Sequence, residues 1–448
     1  MKPGITMDAH PQATSDPNVE ADIVVIGAGI IGTACALSLS QQGLRVVVLD
    51  SQPPGMGTSY GNAGHMATEQ VFPIADAAIV KQLPKMLLDP MGPLRLDWRY
   101  VPKALPWFTR LLWNLRQAPY QASVAGIRAL NEQSLAAWQR LLDNIDGRHL
   151  LKEEGSFLVY EKADNADELE ALRARMAEQQ VAVERWSGDA IRDVAPQLSD
   201  NIQGGLFFPG TAHVVDPWQV VNAIVQAAKA NGVQFRQASV ISGNVSEQGS
   251  THVKNQGVSL QTDIAGIFKA GKVLIACGAH SAKLTTALTG TSIPLDTERG
   301  YHLMLPNEGE RLPVAVTSLE RRFIMTPMEE GLRLAGTVEF AGLQQPANMQ
   351  RAWQLHKLSQ GLFRSELDKT GAKPWMGFRP SLPDSLPIID SVKEGRVLLA
   401  FGHHHLGLTQ AALTAEIIAD LATKGEHHPS AANPAVADLS PYRISRFT

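Results

Sequence analysis

One stretch, ADIVVIGAGIIGTACALSLSQQGLRVVVLD from Ala21 to Asp50, constrains the fold of this chain more than any other. Ile23 to Ile26 form a short, apolar, β-branched run, the pattern of a strand buried on both faces. Glycines follow at 27, 29 and 32. TACALSLSQQG then has helical spacing and closes on Gly43, a residue suited to a helix C-cap. Arg45 to Leu49 give a second, mostly apolar strand that ends in Asp50. Strand, glycine turn, helix and strand in this order predict a βαβ unit with a parallel sheet.

Each part has a physical task. Gly27 permits the tight turn, Gly29 lets the backbone approach a pyrophosphate, and Gly32 lets the helix lie close on the strand. The turn Gly27, Gly29, Ile30, Ile31 and Gly32 is therefore the expected phosphate cradle, where free N–H groups and the helix dipole favour anions. Asp50 lies 18 residues beyond Gly32, where a carboxylate accepts hydrogen bonds from a ribose and disfavours the 2′-phosphate of NADP. The unit alone leaves FAD and NAD both open.

The next segment, SQPPGMGTSYGNAGHM, is rich in small residues from Gly55 to Gly64, which lets backbone N–H groups approach phosphate and ring atoms. Here the sequence resembles the D-amino-acid oxidase superfamily of FAD-dependent oxidoreductases, and in particular its bacterial D-amino-acid dehydrogenases. In that family GTS-x-x-NAG passes beside the flavin, which implies FAD contacts at Thr58, Ser59, Asn62, Ala63 and Gly64. Asp50 departs from the family's usual Glu. The stretch HVVDPWQVVNAIVQAAKANGVQF from His213 looks like the family's helix after an Asp-Pro start, and the strand at Val240 would lie near the adenine. KVLIACGAHS, Lys272 to Ser281, looks like its apolar strand ending in a cofactor turn at Gly278. Near the C-terminus VLLAF, GHHHLG and an apolar-faced helix from Thr409 imply flavin contacts at Gly402, His404, Leu406, Gly407 and Thr409. A helix N-terminus there stabilises negative charge on the flavin. The resemblance thus implies FAD. Non-covalent attachment is expected, because the only two cysteines, Cys35 and Cys277, lie in the dinucleotide segments.

The same resemblance supplies substrate residues. WMGFRPSLPDSLPIID carries a G-x-R-P motif whose arginine, Arg379, would clamp an amino-acid carboxylate bidentately. The alternative is a structural arginine in a turn, paired with Asp384 or Asp390. Tyr301 resembles a family tyrosine that faces the substrate. Arg322, His65 and His403 are weaker candidates for substrate contact. His403, His404 and His405 in a row do not make a metal site, since consecutive side chains diverge and no nearby Cys or carboxylate completes a set.

The expected architecture is α/β: a discontinuous Rossmann-like FAD-binding domain (21–70, 206–290 and 373–430) with an inserted α+β substrate domain built on an antiparallel sheet (71–205 and 291–372). A flexible leader (1–20) and a C-terminal tail (431–448) flank them. In the insert, Trp107, Phe108, Leu111, Leu112 and Leu115 are expected on one helix face, with Arg110 and Arg116 away from it. That helix either packs over the substrate domain, the preferred reading, or anchors the protein on the inner membrane beside a quinone.

The net charge of −4 gives no case for nucleic acid, and no apolar run reaches the ~18 residues of a membrane span. Two cysteines fit a reducing compartment, so the expected location is the cytoplasm, free or peripheral on the inner membrane. The expected reaction is oxidative deamination of a D-amino acid to the 2-oxo acid and ammonia, by hydride transfer from Cα to the flavin. The alternatives are oxidation of a secondary amine such as D-hydroxyproline, sarcosine or glycine, and an FAD-holding subunit of a larger complex. Oxygen, a quinone or a carrier protein all remain open as electron acceptor.

Overall fold

The computed structural model describes residues 20–74, 92, 94–246, 257–264, 267–424 and 438–448. The expected leader falls outside these residues except for Glu20, as does the first part of the tail, through 437.

The βαβ unit forms as its sequence predicts: strand Ala21–Ile26, helix Ile30–Gln41 and strand Val46–Asp50. The two strands pair in parallel, Ile23 opposite Val46 through Ile26 opposite Leu49. Around them lie parallel strands from distant parts of the chain: Gln234–Gln237 beside Val46–Asp50, Ile267–Ile275 beside Ala21–Ile26, and Val397–Phe401 beside Ile267–Ile275. Because side chains alternate along a strand, Ile23 and Val25 pack under helices while Val24 and Ile26 join a second core on the other face. Helices Ile30–Gln41, Pro217–Ala230 and Gly407–Thr423 cover the first face. Asp216 caps the middle one, accepting from Trp218 N–H at 2.6 Å and Gln219 N–H at 3.0 Å.

A nine-stranded, largely antiparallel sheet makes the second body. Its order runs Lys373–Ser381, Asp296–Leu305, Gly331–Phe340, Phe323–Met328, Ala315–Ser318, Ser156–Tyr160, Gly204–Phe208 and Glu184–Ser187, with Leu94–Leu96 along Gly331–Phe340. Two strands sit outside the expected boundaries. Gly204–Phe208 begins before 206, and Lys373–Ser381 pairs along Asp296–Leu305 rather than with the parallel sheet. The W-x-G-x-R-P run has the composition of a turn, but its prolines, Pro374 and Pro380, are tolerated because the strand lies at the sheet edge.

The helix Val101–Asn114 also differs in detail. Ala104 and Trp107 are buried, and Trp107 Nε1 donates to the Ser381 carbonyl at 3.1 Å. Leu112, expected on the same face, is exposed and aligns with Leu105 and Trp113 on the opposite side. The following helix, Gln117–Asp143, buries Ile127, Leu130, Trp138, Leu141 and Leu142 as its periodicity predicts. The last residues pack back on the body: Tyr442 Oη donates to the Gly126 carbonyl at 2.7 Å, and Arg446 pairs with Asp384 at 2.7 Å.

Candidate active site

The phosphate-cradle turn is shaped by steric limits. Gly27 has φ +107°, and a Cβ there would stand 2.4 Å from the Ala276 carbonyl oxygen. A Cβ on Gly32 would stand 1.9 Å from the Gly27 carbonyl oxygen, so only glycine lets the helix begin this close to the strand. Gly29 supplies no side-chain cap to the helix, and the Ile30 N–H donates to Ser59 Oγ at 2.9 Å. Ile31, the next helical residue, is half-buried. Asp50, expected on a ribose, also braces the turn: Ala28 N–H donates to Oδ2 at 2.6 Å and Gln52 N–H to Oδ1 at 2.9 Å. A carboxylate has about four acceptor sites, so both uses are compatible.

The small-residue loop lies across this cradle and touches both sheets. Thr58 Oγ1 donates to the Phe378 carbonyl at 3.0 Å. Asn62 Oδ1 accepts from Gly64 N–H at 2.8 Å, a local turn that holds Ala63 between them. Gly64 has φ +74°, with Met328 Cε 2.5 Å from where a Cβ would be. Ala238 N–H donates to the Asp50 carbonyl at 2.7 Å and brings Val240, two residues on, past the end of the Val46–Asp50 strand. Gly278 (φ +54°) turns the chain after Ile267–Ile275, and Gly402 (φ +86°) turns it after Val397–Phe401. Leu406 is buried, Gly407 opens a helix with no side-chain cap, and Thr409 Oγ1 accepts from Ala67 N–H at 3.0 Å.

Two helices without side-chain caps thus start from the same edge of the parallel sheet, beside glycines that exclude any Cβ. Each lacks a side-chain cap on its N-cap residue and points the positive end of its dipole to this edge. The residues fit a dinucleotide with its charge at these two points.

The antiparallel sheet supplies the opposite wall. Alternation along Asp296–Leu305 sends Glu298, Gly300 and His302 to the face that meets the small-residue loop. Arg379 stands opposite Glu298 on the same face, half-buried, with its guanidinium against Gly300. Its one hydrogen bond among the described residues is Nη1 to the Thr337 carbonyl at 3.3 Å. Neither Asp384 nor Asp390 is its partner: Asp384 is taken by Arg446, and Asp390 accepts from Ser391 and Ile444 N–H. Burial lowers the Arg379 pKa while Glu298 opposes that shift. The result is a fork of donors with most of its capacity unused among the described residues.

Glu298 anchors a relay behind Arg379. Leu382 N–H donates to His404 Nε2 at 3.0 Å, which assigns the ring proton to Nδ1. Nδ1 then donates to Ser381 Oγ at 3.2 Å, and the hydroxyl donates to Glu298 Oε1 at 2.5 Å. Burial raises the Glu298 pKa, but His404, Ser381 and Arg379 outweigh it and hold the carboxyl below its ordinary value. His404, expected at the cofactor, has both nitrogens committed to this chain.

Tyr301 does not join Arg379. It lies on the other face of the sheet, buried, with Oη donating to Glu339 Oε2 at 2.6 Å and accepting from Asn348 N–H at 3.2 Å. An odd-numbered residue on this strand cannot share a face with Glu298 and His302. His403 also points elsewhere, buried against Thr414 Oγ1 at 3.0 Å. Arg322 sits in the hairpin turn before Phe323–Met328 with φ +54°. His65 is buried beside Glu69 at 3.1 Å and opposite His213. The three consecutive histidines diverge, His405 reaching Gln70 Oε1 at 2.5 Å.

The cleft face also carries residues that the sequence did not single out: Glu298, His302, Arg333, Trp375 and Ser381. His302 Nδ1 donates to the Gly61 carbonyl at 2.9 Å, and its ring stacks on Trp375 with centroids 5.0 Å apart.

With both walls in place, the comparisons with known proteins become informative. The FAD dependent oxidoreductase family model matches residues 22–421. The chain belongs to that family, and it is an FAD-dependent oxidoreductase. It is similar to the D-amino-acid oxidase of Bradyrhizobium diazoefficiens, 31% identical over 95% of this chain and 98% of that one. It is also similar to the D-amino acid dehydrogenase of Vibrio cholerae, 28% identical over 90% of this chain and 96% of that one. Among solved structures, glycine oxidase from Geobacillus kaustophilus shares the fold at TM-score 0.69 and 20% identity, covering 96% of this chain and 99% of that one. L-proline dehydrogenase from P. horikoshii does so at TM-score 0.67 and 17% identity, covering 96% and 98%.

Proposed function

We propose that the chain deaminates a D-amino acid oxidatively, giving the 2-oxo acid and ammonia. The observation that carries this reading is Arg379: a half-buried guanidinium with spare donors, one residue from the Phe378 carbonyl that accepts from Thr58 of the loop assigned to the flavin. A carboxylate is the ligand that its fork matches, and the bidentate pair fixes Cα in register. FAD, when bound, would accept the hydride lost from Cα–H, and with it the two electrons of the oxidation. Glu298, held ionised through Ser381 and His404, keeps Arg379 charged and aligned. The substrate's amine enters the step as the free base, and the resulting imino acid takes up water to release ammonia. The 31% identity to a D-amino-acid oxidase over nearly the whole chain supports the D configuration.

Non-covalent attachment is supported by the thiols. Cys35 lies buried within the first helix, and Cys277, pushed up to about 12 by burial, turns its sulfur to the Ile26 carbonyl at 3.2 Å. Sheet membership supports assigning Lys373–Ser381 to the substrate body, with the return to the FAD-binding body after Ser381.

An anaerobic titration tests the substrate assignment. The flavin absorbance bleaches on addition of D- but not L-amino acids; bleaching only by sarcosine, glycine or a proline derivative overturns the assignment.

One surface supports a peripheral membrane contact. Trp98, Leu105, Leu112 and Trp113 are 55–72% exposed, and Arg99, Lys103, Arg110 and Arg116 flank them with no acid between Trp98 and Asn131. Apolar anchors ringed by cations suit an anionic bilayer surface. Among the described residues, no helix is long and apolar enough to cross a membrane.

A further inference from the structure

Three successive carbonyls of the small-residue loop are held by side chains of the antiparallel sheet. Arg333 Nη1 donates to the Tyr60 carbonyl at 3.4 Å and the Asn62 carbonyl at 2.5 Å, and His302 Nδ1 donates to the Gly61 carbonyl between them. Trp375 closes the arrangement by stacking on His302; a Cβ on Gly61 would stand 2.2 Å from its ring.

Arg333 is an unusual donor for this task. It is 2% exposed, no carboxylate lies within ion-pair distance of it among the described residues, and its Nε has no hydrogen-bond partner. Asp216 and Glu330 act on it only from further away, and burial lowers its pKa to about 10. It therefore stays charged near neutral pH, a cation whose hydrogen-bond acceptors are two peptide oxygens. His302 is kept neutral by burial and by Arg333, which together push it down to about 3, so the arginine carries the only charge in the cluster.

A cation hydrogen-bonded to a peptide carbonyl polarises that peptide and makes its N–H a stronger donor. The peptides concerned end in the N–H groups of Gly61 and Ala63, neither of which has a protein acceptor among the described residues. We propose that Arg333 is a positioning residue that sets the reduction potential of the flavin, its charge reaching the ring through the Tyr60–Ala63 peptides. Reduction adds negative charge to the flavin, so a buried cation behind the loop makes reduction more favourable. This rests on the placement of the loop beside the flavin and not on the choice of substrate.

The test is the midpoint potential of the FAD-loaded protein, measured by dye equilibration. Arg333→Met is expected to lower the equilibrium constant for flavin reduction about tenfold, a downward shift of about 30 mV for a two-electron couple. Arg333→Lys, which keeps the charge, is expected to stay near the parent value. An unchanged potential in Arg333→Met, or an equal drop in both variants, overturns the proposal. Should Arg333→Met lose FAD, Arg333→Lys decides: retention at the parent potential upholds the proposal, and loss of FAD from both overturns it in favour of a purely structural brace. Reduction of the parent protein by D-amino acids is read separately, and its failure falls on the deamination assignment alone.

Discussion

Gly300 lies directly beneath the Arg379 guanidinium: a Cβ at that position would stand 2.4 Å from Cζ. The glycine is the floor on which the guanidinium rests, and any side chain there lifts it. Gly300→Ala is expected to raise KM for the amino acid by about tenfold or more while FAD content stays at the parent level. Arg379→Met deletes the proposed charge pair to the substrate, an interaction of roughly 2–5 kcal/mol, and is expected to raise KM by about two orders of magnitude. Steady-state kinetics on both variants check this, and an unaltered KM in Arg379→Met removes the arginine from substrate binding.

Tyr301→Phe separates a structural role from a substrate role. The change leaves Glu339, which also lies near Arg95 and Arg299, without its phenolic donor at 2.6 Å. Stability is expected to fall by about 1–3 kcal/mol, with KM within about twofold of the parent. Urea unfolding and kinetics together decide: a large rise in KM at unchanged stability would return the tyrosine to the substrate side.

Buried neutral histidines predict acid sensitivity. Burial pushes His302 and His403 down to about 3, from 6.5 in an unfolded chain. Below 6.5 the unfolded chain binds protons that the fold refuses, so stability falls with falling pH from 6.5 towards 3. Each histidine contributes up to about 1.4 kcal/mol per pH unit in that window. His403→Gln is expected to flatten the slope by that amount, measured as unfolding free energy across a pH series.

Trp113→Glu combined with Leu112→Glu tests the exposed face of the Val101–Asn114 helix. The parent is expected to co-sediment with phosphatidylglycerol vesicles at low salt, with binding weakened as ionic strength rises. The double variant is expected to stay in the supernatant with its flavin unaltered. Equal sedimentation of both proteins rules out this face as the contact.

The cofactor half of the fold was legible because its signals are local. Gly27, Gly32 and Asp50 lie within one βαβ unit, and their spacing alone implies a dinucleotide. Arg379 was legible through its motif, though not its setting, since proline-rich composition reads as a turn and the segment is an edge strand. That Tyr301 lies on the face away from Arg379 was hidden for a different reason. Every residue of that strand from Thr297 to Leu305 is buried, so no alternation of polar and apolar residues distinguishes the faces. Glu298 and His302 were passed over for the same reason. The Arg333 contact could not be read at all, because it joins positions more than 270 apart through main-chain oxygens, which leave no trace in side-chain identity.

The bond from Thr58 to the Phe378 carbonyl spans 320 positions, and it bears on the order in which the protein is made. A nascent chain emerging from the ribosome has its phosphate cradle within the first 64 residues. The wall that closes over it is not complete until Ser381, and the second helix start arrives only at Gly407. The elements that meet at this bond are therefore complete only once Gly407 has been made, and a chain ending before Gly407 is expected to retain no FAD.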